Sequence, residues 1–320
     1  RLMKVTDHII KAAGATQFTF EILPPLKGQN IQSIYESIDP LMEFKPPFID
    51  VTYHREEYVY KELANGLLEK HIIRKRPGTV GICAALQHKY NVDAIPHILC
   101  GGFTKEDTEN FLIDLDFLGI DNVVALRGDA IKSETYFKAH KDGHTYASDL
   151  VNQVQELNKG HYLDEEILNT SKTDFCIGVS GYPEKHMEAP SLESDLHFLK
   201  KKVEAGANYI VTQMFFDNQK YFEFVDKCKE AGINVPIIPG LKPLATVKQL
   251  NALPHRFHVD LPEALIKSVI KCKDNAAVRQ VGVEWCIEQS KELKDAGVPF
   301  LHYYSMGKSD NIKAVAEAVF

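Results

Sequence analysis

The chain has 320 residues, 44% hydrophobic and 25% charged, and carries a net charge of −7 at pH 7. This is the composition of a globular protein with enough length for a large core. The acidic balance argues against nucleic acid or an anionic membrane surface as the main partner, and no apolar run reaches the roughly 18 residues of a membrane span.

Short apolar runs between turn signals read as strands, and longer amphipathic runs as helices. In chain order the first strand is QFTFEIL (17–23), followed by PPLKGQN, and the second is FIDVTY (48–53). AIPHIL (94–99) is the third, after which 104–119 reads as a helix that starts at Thr104 with a capping box to Asp107. NVVAL (122–126) is the fourth and runs into Arg127-Gly128-Asp129, and the polar stretch 131–145 reads as a loop. FCIGVSGY (175–182), a helix over 191–207, YIVTQMF (209–215), a helix over 217–233 and PIIPGL (236–241) continue the alternation. A last helix over 276–297 and the strand FLHYY (300–304) complete it.

Eight strands alternating with helices predict an α/β fold, a (β/α)8 TIM barrel forming a single domain over 1–320. An open doubly wound sheet would announce a dinucleotide site by G-x-G-x-x-G after the first strand, and PPLKGQN has no such motif. The six cysteines, Cys83, Cys100, Cys176, Cys228, Cys272 and Cys286, show no C-x-x-C or metal-type spacing. With no secretory signal at the start, free thiols and a cytoplasmic location are expected.

Barrel chemistry sits at the C-terminal ends of the strands. Those ends supply Glu21, Thr52, His97, Arg127 with Asp129, Tyr182, Gln213 and Tyr304. Taken singly, an Arg and an Asp two apart read as solvated charges, and a lone histidine as a satisfied polar residue. Glu21, between Phe20 and Ile22, is expected to be partly desolvated, which raises its proton affinity toward that of a general acid; a carboxylate paired to a lysine is the alternative. The convergence of these residues on one rim carries more weight than any one of them.

FEILPP (20–25), VTY (51–53), PHILC (96–100), VALRGD (124–129), YASDLV (146–151), YPEKH (182–186), KKKVEAGANYIVTQMFFD (200–217) and IIPG (237–240) occur in order. In these motifs the chain resembles the methylenetetrahydrofolate reductase family from first strand to last. The resemblance implies non-covalently held FAD, reduced by NADH or NADPH, that passes a hydride to methylenetetrahydrofolate in ping-pong fashion. Glu21 matches the family's general acid. Asp129 matches an aspartate beside the flavin, where a fixed negative charge stabilises an iminium cation and favours hydride donation. Gln213 matches a pterin-binding residue, with Gln249, Tyr304 and Lys308 as further substrate positions. Thr52, Tyr53, His97, Arg127, Gly128, Asp129, Tyr146, Ala147, Tyr182, His186, Asp195 and Lys202 fall on flavin-binding positions, and no metal is implied.

Lys308 stands where a bacterial member has arginine, Leu253 where some have phenylalanine, and Phe198 where the family is polar. His54-Arg55-Glu56 replaces a smaller, glycine-containing run, and 56–80 is longer than in the shortest bacterial forms. These departures bear on the choice of nicotinamide donor and on the adenine contacts. The eukaryotic regulatory domain has no counterpart before Phe320, so no response to S-adenosylmethionine is expected. Association into a homo-oligomer is expected from exposed apolar helix faces. Three rivals remain at this level. One is a metal-dependent barrel hydrolase using His54, His97, His186 and an aspartate. Another is an adhesion protein presenting Arg127-Gly128-Asp129, and the third a flavin-free methyltransferase.

Overall fold

The computed structural model describes residues 2–305 and 308–320. Strands are β1 (Gln17–Ile22), β2 (Phe48–Val51), β3 (Glu57–Glu62), β4 (Leu68–Ile73), β5 (Asp93–Leu99), β6 (Asn122–Leu126), β7 (Cys176–Gly181), β8 (Tyr209–Thr212), β9 (Ile237–Ile238), β10 (Gly240–Leu241) and β11 (Phe300–Tyr304). Helices are α1 (Val5–Ala12), α2 (Gln32–Ile38), α3 (Thr79–Tyr90), α4 (Lys105–Phe117), α5 (Ala147–Lys159), α6 (Leu192–Glu204), α7 (Asn218–Glu230), α8 (Gln249–Phe257), α9 (Glu263–Ile270), α10 (Asn275–Asp295) and α11 (Asp310–Val319).

Nine strand segments pair in parallel in the order β10-β11-β1-β2-β5-β6-β7-β8-β9. They make an eight-stranded barrel, because β9 and β10 are two pieces of one strand broken at Pro239. Proline has no N–H to give the ladder, so the break falls where the sequence PIIPGL requires it. Closure uses other groups: the Pro239 carbonyl accepts from His302 N–H at 3.1 Å, and Gly240 N–H donates to Thr212 Oγ1 at 3.0 Å. The expected barrel is therefore present, with YIVTQMF strand-like only to Thr212 and 213–215 turned out as loop.

Parallel strands side by side put alternate residues of each on the interior. The lower interior is filled by Phe48, Ile95, Val124, Cys176, Tyr209, Val211, Ile238 and Phe300, and Val5 of α1 plugs the bottom. The opposite strand faces pack under the helices in the main core. Above the apolar layer the inward positions turn polar, and these build the site. All six cysteines are free and five are buried. Among the described residues no helix is long and apolar enough to cross a membrane.

The helix starts follow their side-chain caps. Thr104 and Asp107 form a reciprocal capping box, and Ser191, Asp217 and Asp274 each accept a backbone N–H of their helix's first turn. The sequence reading did not find the antiparallel hairpin of β3 and β4, which turns at Asn65-Gly66. Its strands are half-buried to exposed on both faces, so the inside–outside alternation that reveals a strand is weak. Helix α10 lies so close to the loop after β10 that a Cβ on Gly282 would overlap the carbonyl of Leu244. Gly282→Ala is expected to cost about 1–3 kcal/mol in urea unfolding; an unchanged midpoint would contradict this packing.

Candidate active site

The C-terminal mouth of the barrel holds two adjoining groups of polar residues. The first is inside the barrel. Register sets Glu21 of β1 against Asp50 of β2 on one side and Tyr304 of β11 on the other. His97 of β5 reaches in beside them. Its Nε2 N–H donates to Asp50 Oδ2 at 3.0 Å and lies 3.5 Å from Glu21 Oε2. Below, His302 Nδ1 bonds Thr19 Oγ1 at 2.8 Å, with its Nε2 4.0 Å from Asp50 Oδ2.

Burial raises the proton affinity of Glu21 to about 7; the neighbouring His97 opposes this and Asp50 adds to it. The carboxyl is thus neutral over much of the physiological range, as a proton donor must be. Burial works against the His97 imidazolium, yet Glu21 and Asp50 outweigh it and hold His97 above the usual histidine value. Burial pushes His302 down, against the pull of Asp50. Asp50 Oδ1, His302 Nε2 and the Tyr209 hydroxyl are buried without a hydrogen-bond partner.

The second group lies along the rim from β6 to α6. Arg127 extends from the end of β6, and Gly128 takes φ +85°, a conformation that suits glycine, with the Leu99 side chain at 3.5 Å from where its Cβ would be. Arg127 donates two parallel hydrogen bonds to Glu188, at 2.5 and 2.8 Å, and its guanidinium lies over the Phe137 ring. The Tyr182 and His186 rings meet edge-on with centroids 4.6 Å apart. Asp195 of α6 accepts the His186 backbone N–H at 3.0 Å, and Lys202 Nζ donates to the Ser180 carbonyl at 3.2 Å.

Burial lowers Lys202 to about 8, with Asp195 opposing and Arg127 adding to the fall. His186 is lowered by burial and again by Arg127. Three basic groups therefore repel one another in a half-buried rim. That is an environment complementary to a diphosphate, and Asp195 beside it is an acceptor suited to sugar hydroxyls. The donor set fits a flavin dinucleotide.

The two groups are contiguous. Tyr304 feels both Glu21 and Tyr182, and Tyr182 feels Asp129 and Asp195. Glu21 and Asp129, at the C-terminal ends of parallel strands β1 and β6, therefore open onto the same mouth.

Other expected residues are placed as follows. Thr52 Oγ1 bonds His54 Nε2 at 3.0 Å. The Tyr53 ring packs edge-on against Phe103 and Phe111, turned from the barrel axis into an aromatic cluster. Tyr146 caps α5 and is exposed, while Ala147 begins the helix and is buried. Gln213 follows β8, and its Oε1 accepts the Met214 N–H. Gln249 Oε1 accepts the N–H groups of Ala245 and Thr246 at the start of α8, so its amide NH2 is the end left to donate. The Tyr304 hydroxyl donates to the Thr212 carbonyl. Lys308 is exposed in the loop after β11. Leu253 is buried with Met214, Phe216 and Leu244 in a side core, and Phe198 is exposed on α6.

Sequence reasoning missed Asp50, His302 and Glu188. The first two carried a readable signal: a charged or basic residue inside an apolar run, FIDV and FLHYY, at a register position facing inward. Glu188, in a rim loop, carried none. The hydrolase reading is corrected. Among the described residues, the one grouping of three closely set His or acidic side chains is Glu21, Asp50 and His97, which includes neither His54 nor His186.

Comparison with known proteins shows the family. The family model described as "Methylenetetrahydrofolate reductase" matches residues 4–319. The 5,10-methylenetetrahydrofolate reductase of Escherichia coli K12 is 31% identical over 316 residues, covering 98% of this chain and 94% of that one. Methylenetetrahydrofolate reductase 1 of Schizosaccharomyces pombe is 31% identical over 319 residues, and the chain spans 48% of its length. A solved Clostridium thermocellum protein, described as binding two copies of 5-methyl-5,6,7,8-tetrahydrofolic acid, shares the fold with TM-score 0.62 over 98% of both chains at 17% identity.

Proposed function

This chain belongs to the methylenetetrahydrofolate reductase family, and from that premise we propose that it reduces methylenetetrahydrofolate to methyltetrahydrofolate with electrons from NADH or NADPH. The observation that carries the reading is Glu21: a largely buried carboxyl, its side chain 18% exposed, whose proton affinity is raised to about 7, at the mouth that also holds the basic rim.

Arg127, His186 and Lys202 would hold the diphosphate of FAD, Asp195 its ribose, and Tyr182 would wall the pocket. Bound FAD supplies the two-electron carrier between nicotinamide and folate. Glu21 donates a proton to the folate and opens the bridging ring to the iminium cation. Asp129, at the same mouth, stabilises that cation through its carboxylate. Gln213 orients the pterin by hydrogen bonding. Gln249, Tyr304 and Lys308 would make the further contacts to the folate. The apolar lower barrel closes the site from below and excludes water, which strengthens both electrostatic interactions. Residues 1–320 act as one unit in this scheme, in the cytoplasm where the free thiols stay reduced, with a homo-oligomer as the working assembly.

The test is direct. Purified protein is expected to be yellow, to bleach anaerobically on addition of NADH or NADPH, and to recover its colour with methylenetetrahydrofolate as methyltetrahydrofolate forms. A colourless protein that takes up no flavin, or a reduced flavin that folate fails to reoxidise, would contradict the proposal.

A further inference from the structure

His97 meets two carboxylates with one nitrogen. Asp50 Oδ2 holds the hydrogen-bonding position at 3.0 Å, and Glu21 Oε2 is left at 3.5 Å. One N–H cannot serve both at full strength. Asp50 is 3% exposed, and its second oxygen has no partner. A buried carboxylate so sparsely bonded is costly to the fold and calls for a role.

We propose that Asp50 is a positioning residue for the acid: it draws the His97 N–H to itself and leaves the Glu21 carboxyl protonated and free to face the substrate. This deepens the reductase reading and rests on it.

The groups facing the trio come from every neighbouring element. They are Thr19 of β1, His302 and Tyr304 of β11, Tyr209 of β8, the Cys83 thiol of α3, which feels Asp50, and His54 of the rim loop. Burial lowers His54 to about 4, with Arg76 adding to the fall, so it stays neutral. His302 is likewise held down. Glu21 and Asp50 are thus the two acids of the set, and His97 its one cation. A like charge beside a carboxyl disfavours its ionisation, and the trio titrates as a coupled set. With the Asp50 charge removed, the His97 N–H turns to Glu21. The Glu21–His97 pair then holds its second proton only at lower pH. A carboxylate present merely to fill space would leave that proton where it is.

Asp50→Asn keeps the shape and removes the charge. In the flavin-loaded protein, reoxidation of reduced flavin by methylenetetrahydrofolate is followed across pH in a stopped-flow spectrometer, beside reduction by the nicotinamide. The alkaline fall of the folate half-reaction is expected to move down by about one pH unit, a roughly tenfold loss above it. The nicotinamide half-reaction is expected to keep its rate. Nitrogen NMR of His97 gives a readout independent of turnover, and its titration is expected to move down too. An unmoved folate profile with an unmoved His97 titration would overturn the proposal. If Asp50→Asn does not fold, Asp50→Ser is read in the same way; loss of folded, flavin-binding protein from both would give Asp50 a structural role and also overturn it. Failure of the wild type to be reoxidised by folate would sink the reductase reading instead, while the His97 titration still decides the role of Asp50.

Discussion

Glu21→Gln is expected to slow the folate half-reaction by about 10²–10⁴-fold, the usual contribution of a general acid, while flavin binding and flavin reduction by the nicotinamide persist. The amide keeps the shape and polarity of the side chain but has no proton to give. The wild-type folate half-reaction should decline as pH rises through about 7, where Glu21 ionises, and the residual rate of the variant should lack that decline. Stability supplies an independent check. The folded-state value of Glu21 lies above its ordinary 4.5, so its contribution is fully present below pH 4.5 and is lost as pH rises through about 7. The rise corresponds to roughly 3 kcal/mol. Glu21→Gln removes that loss, and the variant should therefore resist urea better than the wild type at alkaline pH. Equal loss of both half-reactions would deny Glu21 the part of proton donor and make it a residue of the flavin pocket.

Arg127→Ala is expected to weaken FAD binding by about 10- to 150-fold, from the loss of charge-assisted hydrogen bonds worth roughly 1.5–3 kcal/mol. Its two parallel hydrogen bonds to Glu188 show the guanidinium presenting its fork to an anion already. Glu188 is 44% exposed on its side chain, so exchanging it for a diphosphate at this position leaves no buried charge stranded. Arg127→Lys should recover part of the affinity, since a point charge keeps the attraction and loses the fork. Global stability should change little, because the Arg127–Glu188 pair is at the surface. Fluorescence titration of flavin-free protein measures the affinity, and equal affinity in wild type and Arg127→Ala would remove Arg127 from the cofactor site.

Most of the barrel was legible because parallel strands buried on both faces leave continuous apolar runs, and NVVAL and FLHYY keep their bounds to the residue. The overrun at YIVTQMF arose because Met214 and Phe215 are apolar for a different reason. Phe215 enters the main core and Met214 a side core, both from loop backbone. The hairpin was hidden by its two-sided exposure, although Asn65-Gly66 marked its turn. At the site, residues at strand ends were readable from position alone: Glu21, His97, Arg127 and Tyr182. Asp50 showed only as a charge inside an apolar run, although it lies level with Glu21 across the β1–β2 ladder, because its role depends on which residues the neighbouring strands set beside it. Register is a tertiary property that a single strand does not carry. Gln249 shows the same limit from the other side, since its side-chain carbonyl is engaged by its own loop.

The most direct measurement of the central claim is a crystal structure of the protein grown with FAD. The ring system is expected at the C-terminal mouth between Glu21 and Asp129, with the diphosphate against Arg127, His186 and Lys202. Flavin bound elsewhere, for instance in the groove between α7 and the segment before β11 that Tyr221, Val225 and Pro299 line, would contradict it.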